Sequence, residues 1–71
     1  MKQVVLFTRQ VTLDQFIFQA GHSYTFIMLR RRSTRWLCYQ GKYLITLSYF
    51  ATMFTDQGYA QFIDDENAKV A

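Results

Sequence analysis

The sequence predicts a mainly β domain: a small five-stranded antiparallel barrel with one short helical turn before its last strand. Three observations lead there. Between residues 24 and 47, three apolar, aromatic and β-branched runs are cut by two short polar breaks, the spacing of consecutive hairpin-connected strands. Several runs are apolar on both faces, and an open sheet of that kind would leave a large apolar patch in water, whereas a curled one hides it. Finally, 71 residues, 51% of them hydrophobic, with seven Phe, five Tyr and one Trp, suffice for one core and no more. Residues 1–63 are therefore read as one domain. Residues 64–71, Asp-Asp-Glu-Asn-Ala-Lys-Val-Ala, contain no large apolar side chain and are expected to form a flexible acidic tail.

Each element has its own signal. Residues 3–9 alternate Val4 and Leu6 with Val5 and Phe7, apolar on both sides, so this strand should be central in a sheet or closed into a barrel. Residues 12–20 are ambiguous. Thr12 and Gln15 fit a helix capping box, with Leu13, Phe16, Ile17 and Ala20 on one helical face, which would make the fold α+β. Phe16-Ile17-Phe18 fits a pleated strand better, and a helix of about nine residues is too short to stand on propensity alone. The strand is preferred. After the turn Gly21-His22-Ser23 come strands over 24–29 and 34–39, joined by a basic loop of four residues or slightly more. Gln40-Gly41 supplies a tight turn because Gly accepts positive φ. In the strand 42–47, Tyr43, Ile45 and Leu47 should share the core face opposite Lys42, Leu44 and Thr46. Ser48 can then cap a helical turn carrying Phe50, Met53 and Phe54 on one side. Thr55-Asp56-Gln57-Gly58 reads as a turn and 59–63 as the closing strand.

This order of elements resembles SH3-like small barrels over residues 3–63. The segment Phe18-Gln19-Ala20-Gly21-His22-Ser23-Tyr24 is similar to the turn into their second strand, and residues 48–54 sit where their short helical turn precedes the final strand. In style the chain also resembles the very short proteins of phages and mobile elements, which implies a partner in the host.

Charge is distributed unevenly behind the formal net value of +3. Residues 1–54 carry seven basic and one acidic side chain, and residues 55–71 carry one basic and four acidic. A basic body suits a polyanion, for which an acidic end would compete. Arg30, Arg31, Arg32 and Arg35, with Trp36, Tyr39 and Lys42 nearby, form the candidate binding site: guanidinium forks match phosphate geometry and aromatic faces stack on unpaired bases. The simpler alternative is a solvated hairpin tip that guards a sheet edge.

Other chemistries lack their signatures. The lone Cys38 can form no internal disulfide, no Cys/His pairs suit zinc, and a reducing, cytoplasmic setting fits best. Cys38 with His22 could suggest a thiol dyad, but a lone Cys in an apolar strand is more often a core residue. Asp64, Asp65 and Glu66 lack calcium-loop spacing, and Gly21, Gly41 and Gly58 stand too far apart to cradle a phosphate. The N-terminal apolar run is too short for a signal peptide or a membrane span. A non-enzymatic module is expected, without cofactor or metal. It would bind nucleic acid through the basic hairpin; alternatively it would inhibit or modulate a host protein with an acidic surface, or self-associate through a sheet edge as a structural subunit.

Overall fold

Apolar alternation is converted into pairing throughout the structure, a computed structural model that describes residues 1–63. Seven strands are present: β1 (Lys2–Phe7), β2 (Val11–Leu13), β3 (Phe16–Phe18), β4 (Ser23–Arg31), β5 (Thr34–Tyr39), β6 (Lys42–Thr46) and β7 (Ala60–Ile63). Five of them make one antiparallel sheet in the order β6-β5-β4-β1-β7, and β2 with β3 makes a separate hairpin. Between β6 and β7 the chain is helical, first as α1 (Leu47–Phe50) and then as a π-helical turn (Ala51–Thr55).

Residues directly opposite one another in a ladder share a face, so the register separates an inner from an outer side. The inner side pairs Val5 with Tyr24 and Phe62, Phe7 with Ala60, and Leu37 with Met28 and Ile45. Val11 and Phe18 of the separate hairpin and Phe50 of α1 complete this core with Phe26. Phe18 is its hub, stacked on Phe7 at 4.9 Å between ring centroids and lying 5.3 Å from Phe26 and 5.2 Å from Tyr39. Burying each of these phenylalanines contributes about 2 to 3 kcal/mol. The outer side is more open. Ile27 and Leu29 stand exposed there, and Val4, Leu6 and Trp36 are half-buried.

The central position expected for β1 is observed, since it lies between β4 and β7 with Val5 and Phe7 fully buried. Residues 12–20 form no helix. They form strands, as preferred, but two short ones, because the chain reverses at Asp14-Gln15 with Asp14 at φ +55°. A carboxylate side chain tolerates this left-handed region better than most, so the Leu13-Asp14-Gln15-Phe16 sequence permits a two-residue turn. The turn at Gln40-Gly41 is also as expected, with both residues at positive φ, as a type I′ hairpin requires.

The antiparallel sheet expected is present, and among the described residues it is not closed: β6 and β7 are its two edges, and the helical segment packs on β5, β6 and β7. Three finer expectations are corrected. The cap of α1 is Thr46, not Ser48, its hydroxyl accepting from the Tyr49 amide at 3.3 Å. Phe50 and Phe54 do lie together, 5.1 Å apart, yet Met53 is exposed, because the wider i→i+5 turn swings position i+3 off the buried side. Tyr43 faces away from the core, for a reason that bears on the site and is given below. The acidic tail expected over 64–71 lies outside the described residues.

Candidate nucleic-acid interface

Strand pairing runs further into the basic segment than the sequence suggests. Arg30 pairs with Arg35 and Arg31 with Thr34, so the expected loop of four residues is a two-residue turn of Arg32 and Ser33. Three of the four arginines are thus held on strands, and the fourth occupies the turn at φ +59°. That backbone region favours Gly or Asn, and an arginine there costs about 1 kcal/mol or more. The opposition of Arg30 and Arg35 adds a like-charge cross-strand pair, which is also unfavourable. Two local conflicts with backbone preference and electrostatics thus meet at one tip.

Alternation sorts the charges by side. Arg30 and Arg35 continue the inner row beyond Met28 and Leu37, while Arg31 continues the outer row beyond Leu29. All four are exposed. Between residues 1 and 63 the carboxylate side chains are those of Asp14 and Asp56, one in the β2–β3 turn and the other after the π-helical turn. Shallow depressions surround the tip. One of about 400 Å³ is lined by Arg31, Arg32, Ser33, Thr34 and Trp36. A second of about 210 Å³ lies between Met1, Met28, Leu29, Arg30 and Arg35, and a third of about 330 Å³ lies between Ser33, Thr34, Arg35 and the start of the helical segment.

The structure brings Arg30, Arg31, Arg32, Arg35 and Trp36 together, but not Tyr39 or Lys42. Those two sit at the opposite end of β5, on the order of 13 Å from Arg35 at the usual rise per residue. Tyr39 packs in the core, 5.1 Å from both Phe16 and Phe26. Lys42 donates from Nζ to Gln15 Oε1 at 3.1 Å and so ties the small hairpin to the sheet.

In their place comes Tyr43. A bulge between Leu37 and Cys38 makes Tyr43 pair with Cys38 while Ile45 pairs with Leu37, so Leu44 is the extra residue and the two side chains face opposite sides of the sheet. Tyr43 is 44% exposed on the outer side, with Trp36 edge-on to it at 5.8 Å and the Arg31 guanidinium 5.3 Å above its ring. Nothing in the Lys42-Tyr43-Leu44-Ile45 sequence signals the bulge.

The remaining reactive groups are dispersed. Cys38 is buried on the outer side between Ile27 and Tyr43, and burial pushes its thiol above the ordinary value. His22 precedes β4 five residues before Ile27, roughly 17 Å away along the strand, so the two form no dyad. Among the described residues, no three His, Cys, Asp or Glu side chains gather to hold a metal, and no helix is long and apolar enough to cross a membrane. No family model, no curated protein and no solved structure matches the chain.

Proposed function

We propose that this chain is a non-enzymatic binding module that grips the phosphate backbone of a nucleic acid with Arg30, Arg31, Arg32 and Arg35. The observation that carries the reading is the forced arrangement of the tip: Arg32 in a turn that favours Gly and Arg30 opposite Arg35. Phosphates placed among these groups relieve the repulsion and accept their N–H donors two at a time. The fold proposed for the module is SH3-like, a sheet curled around Phe18 and Phe26 without pairing of its edges. The strand order and the helical segment before β7 support it.

The test is the salt dependence of binding to an oligonucleotide, followed by fluorescence anisotropy. Four phosphate contacts on a single strand give log K a slope against log salt of about −3, and replacing the four arginines by Gln flattens it toward zero. A slope that the replacement leaves unchanged refutes the assignment of the site.

A second reading has an observation of its own. Ile27 and Leu29 stand exposed beside Arg31, a mixture suited to a host protein with an acidic rim around an apolar patch. In that case the arginine replacements slow association more than they speed dissociation, and the salt dependence of the affinity is shallow.

A further inference from the structure

We propose that the outer side of the basic hairpin holds an unpaired base, with Tyr43 as its stacking platform, so that the module selects single-stranded over duplex nucleic acid. This rests on the phosphate-binding reading above and adds the part of the ligand that phosphates do not specify.

The two sides of the tip differ in chemistry. Arg30 and Arg35 on the inner row offer charge, whereas Arg31 on the outer row lies beside two aromatic rings. Those rings are carried on paired strands, and they brace each other: Trp36 and Tyr43 meet at 82°, the edge-to-face arrangement that aromatic quadrupoles favour. Tyr43 is therefore presented in a fixed orientation although it is 44% exposed, and little side-chain freedom remains to be lost on binding.

Its ring face is covered by the Arg31 guanidinium at 5.3 Å. A cation over a tyrosine face at an exposed site is worth roughly as much as a weak surface contact, so a better planar partner displaces it. A nucleobase is such a partner, since base–aromatic stacking is stronger and tolerates any base. Once displaced, Arg31 is released at the mouth of the adjoining depression of about 400 Å³, where the flanking phosphate of the same nucleotide would lie. Stacking and phosphate binding then reinforce each other through one side chain. In a duplex the base faces are already stacked on their neighbours and cannot reach Tyr43 without flipping out.

The experiment compares a short oligothymidine strand with a duplex of equal length at fixed salt, by anisotropy and by the fluorescence of Trp36, the one tryptophan in the chain. The single strand should bind more tightly and quench Trp36. Tyr43→Ala should weaken it by about five-fold or more, the effect of one stacked base, and leave duplex binding unchanged. Tyr43→Phe, which keeps the ring, should retain both the affinity and the quench. Because the quench is read on the unmodified protein, the inference can be judged even if Tyr43→Ala does not fold. Equal affinity for the two forms, an unquenched Trp36, or a Tyr43→Ala variant that binds the single strand normally overturns base stacking and leaves the phosphate reading standing. Absence of salt-dependent binding to either form overturns both.

Discussion

Ile45 and Tyr43 stand two positions apart on β6, yet one is 6% exposed in the core and the other lies in the open. Ile45→Ala should lower stability by about 2 to 4 kcal/mol, because Leu37 and its neighbours cannot collapse onto the lost volume. Tyr43→Ala should cost under about 1 kcal/mol, as an exposed side chain with one edge contact does. Paired thermal melts check both, and the reverse ranking would mean that the bulge is misplaced. Cys38 supplies a pH-dependent prediction. Burial raises its folded value, so as pH climbs past the ordinary thiol value the unfolded chain releases that proton first and the folded state comes to hold more protons. The stability held below that value should therefore fall as pH rises above it, and Cys38→Ala should remove that part of the decline in alkaline melts.

The hairpin β4–β5 shows how an element can be built against its own electrostatics. With Arg30 opposite Arg35, added salt should raise the melting temperature of the unmodified protein by screening the repulsion. Arg35→Thr should raise it at low salt by up to about 1 kcal/mol of stability and blunt the response to salt. If salt leaves the parent's melting point unmoved, the two guanidiniums have turned away from each other. The turn of β2–β3 makes a different demand: Asp14→Val should destabilise by about 1 to 2 kcal/mol, since a β-branched residue resists φ +55°, whereas Asp14→Gly should be nearly neutral. These elements also show what was legible in the sequence. Gln40-Gly41 announced its turn because Gly is the residue that turn chemistry asks for. Arg32-Ser33 did not, because an arginine at positive φ contradicts local preference, and Arg30 and Arg31 consequently read as loop when they are strand. The π-helical turn escaped notice for a related reason: Phe50 and Phe54 have the spacing of an α-helix, and only backbone bonding, with the Asp56 amide donating to the Ala51 carbonyl at 2.7 Å, reveals the wider turn. The arginine cluster was visible as composition, but its division between two faces and its aromatic neighbour depend on register, which one bulge resets.

Across the whole molecule, one side of the sheet is covered by the small hairpin and the helical segment, while on the other, among the described residues, Ile27 and Leu29 stand exposed. Amide exchange should be slowest in β1, β4 and β5, which have ladder partners on both sides, and faster along the outer edges of β6 and β7. Uniform protection across all five strands would mean that the edges are covered in solution. The position of β1 has a consequence in time as well as in space. This strand takes as neighbours β4, which begins at Ser23, and β7, which begins only at Ala60, both later in the chain. Its apolar residues must therefore wait, exposed on the nascent chain, for partners that emerge late. Closing so long a loop before any ladder bond rewards it makes folding slow for a chain of this size, in milliseconds to seconds rather than microseconds. During that interval Val4-Val5-Leu6-Phe7 is the stretch most open to capture by a chaperone or by another unfinished copy.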